Sequence, residues 1–384
     1  MQPITITGGR VLLQTDGLQP VSLALADSRI ARIDDTARAG LWLDATGLLV
    51  LPGIVDIHGD AFERQLQPRP GVDFAADIAL NDTEAQLLAN GITTAFHGVT
   101  LSWEPGLRSL ETWRALLDAM ATRRWTCDMR VHLRWEAYNL DALDTALADI
   151  DSGRVHLVAF NDHTPAILQR IDDLVAGAKY SERAGMTVAQ FRDLALRVGA
   201  RATDVPAALA RVAAAARAAS VPIASHDDET VAMRDAFRAQ GARICEFPMA
   251  EEVARAARAA GDFVVMGSPN VVRGRSHLGW ASAARLAEDG ICTVLSSDYF
   301  YPAMLRAALI LAGRGALDLS CAWALISANP AAATGLRDRG AISEGMRGDL
   351  VLVDPRHARV IATIAAGQIA HFTAEATARL STVA

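Results

Sequence analysis

The chain has 384 residues, 51% of them apolar and 21% charged, with a formal net charge of −7. That is length enough for a large core and excludes a disordered or repeat-biased chain, while near-balanced charge and scattered arginines exclude a basic surface for nucleic acid. The most apolar windows are broken by Arg, Asp or Gly, and MQPITITGGRVLL lacks a basic-then-apolar signal pattern, so a cytoplasmic protein with no membrane span is expected.

In chain order, the first fifty residues read as short strands. ITITGGRVLL, VSLALADSRIARI and GLWLDATGLLVLPG alternate or run apolar, with turns at Gly8–Gly9 and Asp27–Ser28. From about residue 50, short apolar strands alternate with longer helical patterns. ITTAFHGV precedes SLETWRALLDAMATRR, MRVHLRWEAYN precedes LDTALADI, and VHLVAFNDH opens a long helical region. VPIASHDD, RICEFPMA, DFVVMGSPN and ICTVLSSDY follow, each with a helical pattern after it. Counted from LPGIVDIH, these are eight strand candidates in a βα repeat, which predicts a parallel sheet with helices outside. Eight units, with no GxGxxG after the first strand, favour a closed (β/α)8 barrel over an open doubly wound sheet. GMRGDLVLVDPRHARVIATIAAGQIAHF then reverts to strands and turns. The expected architecture is α/β: a catalytic barrel over 51–344 and one small β-sandwich built from 1–50 and 345–384. Cys127, Cys245, Cys292 and Cys321 have no CxxC spacing and read as single buried thiols.

Polar residues gather where the barrel strands stop, the end at which a barrel's loops converge on an active site. His58 and Asp60 end strand one, His97 ends strand two, and His132, Arg134 and Glu136 lie on strand three. Asn161, Asp162 and His163 end strand four, and His226, Asp227 and Asp228 end strand five. Glu246 lies on strand six, Ser268 and Asn270 follow strand seven, and Asp298 ends strand eight. His58 and Asp60 stand two apart on an extended segment, so both side chains point the same way and reach one cation. Imidazole and carboxylate donors with no matching thiolate suit one or two divalent metal ions, zinc first, with manganese, iron or nickel also admitted.

All but one of the 37 basic residues are arginine. The one lysine, Lys179, lies past strand four in a loop or helix and is badly placed to bridge two metals in carboxylated form. Glu136 is the better bridge, because a carboxylate offers both oxygens without modification. His132, deeper on the same face, reads as core or as a support for the ligands. Asp298 suits a ligand that also accepts a proton from an attacking water.

With those residues in hand, the chain resembles the amidohydrolase superfamily and, within it, the phosphonate-metabolism branch of α-D-ribose 1-methylphosphonate 5-triphosphate diphosphatases. The stretches that carry the resemblance are LPGIVDIHGDAFE, QPRPGVDF, GITTAFHGV, FNDHTP, ASHDDET, EFPMAEEVA, MGSPNVVRGRSHLGW and VLSSDYFYPAML. The resemblance implies His58 and Asp60 as ligands from the first strand, Glu136 in a bridging position, and His163 and His226 on a second metal. It implies Asp298 as ligand and proton acceptor. The substrate implied is a small anionic phosphorylated sugar, a ribose 5-triphosphate with methylphosphonate at C1. Water would attack the phosphorus nearest the sugar and release pyrophosphate. Arg69, Lys179, Arg273 and Arg275 lie on loops from which they would hold the phosphates, with arginine the better bidentate clamp. Exposed apolar helices of such barrels commonly pair, so the sequence admits a homodimer without deciding the oligomeric state.

One segment departs from that pattern. DHTPAILQR places Ala166, Ile167 and Leu168 where a polar continuation of the DHTPGQ kind is expected. Were this segment to touch the phosphate chain, the substrate would be a different phosphoester or an amide. The competing reading is therefore a C–N hydrolase of the same superfamily, acting on an N-acyl amino acid, a cyclic amide or an amine. A catalytically silent barrel predicts a broken ligand set, whereas every expected ligand type is present here.

Overall fold

A computed structural model describes residues 2–14, 16–34, 40–69, 71–274 and 282–383. Eight strands form one sheet in chain order: Ile54–Gly59, Ile92–Leu101, Asp128–Glu136, Leu157–Asn161, Ile223–His226, Ile244–Glu246, Phe263–Gly267 and Val294–Ser296. Each pairs in parallel with the next. The sheet curls until its edges meet. Gly59 bridges Asp298, the Asp298 amide donates to the His58 carbonyl (3.0 Å), and the Asp60 amide donates to the Asp298 carbonyl (2.9 Å). This is a (β/α)8 barrel, as the repeat predicts.

The strands read as near-continuous apolar runs because both their faces are buried. One face, with Val55, Ile57, Phe96, Leu157, Ala159, Ala224, Ile244, Val265 and Val294, fills the barrel interior. The other, with Val99, Leu101, Leu133, Trp135, Val158, Phe160, Val264 and Leu295, packs against the helices. Helix starts carry oxygen caps where the chain supplies them: Ser109 accepts from the Thr112 amide, and Thr230 from the Met233 amide.

Both ends of the chain contribute to two further sheets. One orders Leu380–Val383, Gly40–Asp44, Ile4–Thr7, Leu23–Ala26 and Arg29–Ile33. The other orders Gln368–Phe372, Arg359–Ala365, Leu350–Asp354, Leu49–Pro52, Arg10–Leu13 and Gly17–Gln19. Ile4, Ile6, Leu23, Leu25, Val50, Leu350, Leu352 and Ile361 form the core between them, which makes a β-sandwich. Its strand Leu49–Pro52 runs directly into the first barrel strand, so one extended segment passes from sandwich to active-site face.

Cys127, Cys245 and Cys292 are buried free thiols, as expected; Cys321 differs, exposed in the first turns of the helix Leu319–Ala324. Among the described residues no helix is long and apolar enough to cross a membrane.

Candidate active site

His58 owes its position to an irregularity. Asp56 faces outward, where Ser297 donates to it from its hydroxyl and from its amide (3.0 Å), whereas Ile57 belongs to the barrel interior. Strict alternation would then send His58 outward beside Asp56. Instead the pairing with strand two slips between Asp56 and Gly59, and His58 turns inward beside Ile57. Gly59 takes the outward position, where a Cβ would stand only 2.8 Å from Asp56 Oδ2 and 2.9 Å from Ser297 Oγ. Alternation resumes from His58, so Asp60 follows it inward.

Inside the barrel mouth, His58 Nδ1 lies 3.0 Å from Glu246 Oε2, and its ring stands 5.0 Å from His132 and 5.2 Å from His226. An ionised Glu246 accepts the Nδ1 proton, which leaves His58 Nε2 as a free donor atom for a cation. His132 Nδ1 donates to the Ile57 carbonyl (3.1 Å), and its Nε2 comes 3.7 Å from Glu246 Oε2 without a hydrogen-bond partner. Glu246 is fully buried, and its Oε1 also has no partner. On the far side, His163 Nε2 and His226 Nδ1 both approach Asp227 Oδ2, at 3.5 and 3.1 Å. His163 Nδ1 approaches Glu136 Oε2 at 3.4 Å. Arg134 spans the two sides, 3.1 Å from His226 Nε2 and 3.7 Å from Asp60 Oδ2.

Three residues just past strand ends are left-handed: Asp227 (φ 57°), Phe247 (φ 52°) and Asp298 (φ 56°). For a residue as bulky as phenylalanine this backbone is costly, about 1–2 kcal/mol. It seats the Phe247 ring edge-on beneath His58 (4.8 Å) and His226 (5.3 Å), so the strain closes the floor under two imidazoles.

The electrostatics ask for positive charge. Burial, with Arg134 beside it, pushes the His58 pKa down to about 3, and burial pushes His226 down to about 4, so both are neutral donors at physiological pH. Burial raises Asp298 to about 7, with Asp60 adding to it, and burial also raises Glu246. His163 goes the other way. Burial opposes its charge, but hydrogen bonds with Asp227 and Glu136 outweigh that and lift it to about 9. A proton on His163 and the Arg134 guanidinium thus stand among five carboxyl groups, those of Asp60, Glu136, Asp227, Glu246 and Asp298. The donor set fits divalent metals: His58, His226 and Glu246 bring ligand atoms within 4.8 Å of one another, as do His163, His226 and Asp227. A metal ion held there would take the place of the His163 proton and would offer the unpartnered Glu246 oxygen a cation.

Of the residues singled out from sequence, the structure gathers His58, Asp60, His163 and His226 at this mouth, with Asp298 half-buried at the seam. Glu136 stands beside His163, but it also accepts from the Thr164 amide (3.3 Å) and hydroxyl (2.7 Å) and so holds the start of the next helix. Arg69 and Lys179 are exposed, and Arg273, also exposed, donates to the Tyr299 hydroxyl (3.4 Å) on the loop after strand eight. Arg275 lies outside the described residues. His97 is not at the mouth: Phe96 points inward, so His97 points to the helices. Glu246, Asp227 and Arg134 are the site residues that sequence reading left without a role. For Glu246 the available signal was an acid on the otherwise apolar strand ICE.

Ala166, Ile167 and Leu168 belong to the helix Thr164–Arg170. Ile167 packs with Ile171, Ala184, Phe191 and Ala195, and Leu168 covers the edge of that cluster. Gly199 lets Leu168 pack closely here, since a Cβ would stand 2.5 Å from Leu168 Cδ1 and make that side chain shift. Ile167 and Leu168 therefore build a satellite core with the helices Leu174–Arg183 and Val188–Gly199, so Ile167 does not face the mouth, while Ala166 is exposed.

Comparison with known proteins agrees with the fold. The sequence profile of the Amidohydrolase family matches residues 49–378. An Escherichia coli (strain K12) protein, alpha-D-ribose 1-methylphosphonate 5-triphosphate diphosphatase, is 34% identical over 320 residues, covering 81% of this chain and 84% of that one. Among solved structures, molinate hydrolase superposes with TM-score 0.63 at 14% identity, covering 96% of this chain and 94% of that one. N-acetylglucosamine-6-phosphate deacetylase from Pasteurella multocida gives 0.62 at 12% identity, covering 96% and 99%. At such identities these two share the fold alone.

Proposed function

The chain belongs to the amidohydrolase family and is a hydrolytic enzyme, and from that premise we propose that it hydrolyses α-D-ribose 1-methylphosphonate 5-triphosphate to the 5-phosphate and pyrophosphate. The observation that carries the reading is the 34% identity, across 81% of the chain, to a protein with that activity. Two features of this chain support it. A guanidinium stands inside the mouth, where a phosphoryl group would meet it, and the apolar Ile167 is turned away from the mouth into its own core.

Divalent metal ions, zinc first, held by His58, Asp60, His163, His226 and Asp298, with Glu136 and Glu246 beside them, would supply the Lewis acidity that polarises a phosphoryl oxygen and activates water. The chain's own groups do the rest. Glu246 fixes the His58 tautomer, and Asp227 aligns His163 and His226 from one oxygen. Asp298 accepts a proton from the water that attacks the phosphorus nearest the sugar; the bond to the bridging oxygen breaks, and pyrophosphate leaves. Of the cations predicted for the phosphates, Arg273 has the Tyr299 hydroxyl to steady it at the rim, and Arg69 and Lys179 serve from exposed positions.

The test is an assay of metal-replete protein against ribose and nucleoside 5-triphosphates, including the 1-methylphosphonate sugar, with phosphate and pyrophosphate detected separately. Pyrophosphate from the phosphonate sugar, with ordinary nucleotides turned over poorly, is expected. No release from any member, in protein shown to hold its metals, sinks the reading and turns the search to N-acyl amino acids, cyclic amides and amines.

A further inference from the structure

Arg134 stands where a bound metal ion would least tolerate it. Its side chain is 8% exposed on the inner face of strand three and packs against Gly98 of strand two, where a Cβ would come 3.3 Å from Arg134 Cδ. Nη2 lies 3.1 Å from His226 Nε2 and Nη1 lies 3.7 Å from Asp60 Oδ2. A guanidinium only donates, so His226 Nε2 is the acceptor. That atom has one lone pair, and an ion bound there takes it from Arg134. The ion and the guanidinium are also like charges at close range, and burial keeps solvent from screening them. Meanwhile Arg134 Nε is buried with no partner, so the protein itself does not use all of the side chain's donors.

We infer that Arg134 competes with the metal for His226 and Asp60, and that the phosphoryl group of the substrate draws its fork away and is clamped by it. The planar fork matches two phosphoryl oxygens, whereas an uncharged amide offers no such anion. The inference deepens the phosphoryl reading above and rests on it for the identity of the anion. It makes Arg134 a specificity-determining residue and couples substrate binding to metal binding: phosphate and metal each strengthen the other, because each relieves the contact that opposes the other.

Zinc affinity, by competition with a chromophoric chelator, and inorganic phosphate affinity of the zinc-loaded protein, by calorimetry, are measured for wild type, Arg134→Gln and Arg134→Lys. Without phosphate, Arg134→Gln is expected to bind zinc about tenfold more tightly, because the competing charge is gone. Its zinc-loaded form is expected to bind phosphate about tenfold more weakly, having lost a charge-assisted pair of hydrogen bonds. Arg134→Lys keeps the charge, covers the case in which the glutamine variant does not fold, and is expected to lose about fivefold in phosphate affinity because an ammonium has no fork. Zinc binding in Arg134→Gln no tighter than wild type makes the guanidinium a mere support for His226. Phosphate affinity unchanged in either variant removes it from substrate binding. Each of those results overturns the inference. Neither readout needs turnover, so a protein that shows both shifts yet releases no pyrophosphate from the phosphonate sugar has failed only the substrate assignment.

Discussion

His97 is fully buried on the helix side of strand two, its ring edge-on to Phe62 at 5.1 Å, and neither nitrogen has a hydrogen-bond partner. Burial pulls its pKa from 6.5 down to about 4. Between those values the unfolded chain binds a proton that the folded chain refuses. Stability is therefore whole above pH 6.5 and falls as the pH drops towards 4, by up to about 3 kcal/mol from this one residue. His97→Leu removes the titration and two unpartnered nitrogens together. Urea unfolding at pH 7.5 and pH 5 should show near-equal stability at the higher pH and a smaller loss on acidification in the variant. An identical loss in both proteins would mean that His97 is not held neutral. The same residue shows the limit of reading side chains from spacing. His58 and Asp60 were legible because i and i+2 share a face wherever a strand is regular. Which face they share depends on the slip against strand two between Asp56 and Gly59, since regular alternation from the outward Asp56 would send both outward.

At the scale of elements, the eight barrel strands were legible as apolar runs between helical patterns, because burial on both faces leaves that signature whatever the partners are. The slip between Asp56 and Gly59 and the left-handed turns at Asp227, Phe247 and Asp298 were not, since each answers to a neighbouring strand rather than to its own sequence. The segment 164–199 lies between these cases. Its helices were legible, but the purpose of its apolar residues was not, because a satellite core has no signature of its own. Trp103 ties that core to the mouth: its indole donates to Thr164 Oγ1 (2.9 Å), and Thr164 Oγ1 donates to Glu136 (2.7 Å). Ile167→Ala should cost the segment about 2–5 kcal/mol, the usual range for emptying a buried aliphatic site. Amide exchange is expected to accelerate across 164–199, with the barrel strands unchanged. Acceleration spread evenly over the barrel would show that the segment has no core of its own.

The whole molecule raises the question of whether sandwich and barrel are separate folding units. Leu12, Leu49, Leu51, Val351, Val353 and Val360 of the sandwich belong to the same apolar cluster as Leu87, Leu88 and Ile92 of the barrel. Polar contacts cross the same boundary: Thr363 Oγ1 donates to the Leu88 carbonyl (2.7 Å), and the Trp323 indole to the Pro52 carbonyl (3.0 Å). Within the barrel, just before the chain returns to the sandwich, Arg339, 7% exposed, donates to Asp128 Oδ2 (2.6 Å) and Thr94 Oγ1 (2.8 Å) at the closed end. Continuous packing of this kind predicts one cooperative transition, not two. Arg339→Met leaves Asp128 with Arg130 as its nearest cation, at 2.9 Å, and with some access to water. The cost is then expected below the usual range for a broken buried pair, at about 2 kcal/mol. Urea unfolding followed by far-UV circular dichroism and by tryptophan fluorescence should give coincident curves for wild type, and the Arg339→Met curves should shift together to lower denaturant. If the two probes separate in wild type, the sandwich unfolds by itself; if they separate only in the variant, the sandwich depends on the closed end of the barrel, where Arg339 holds strand three, to unfold with it.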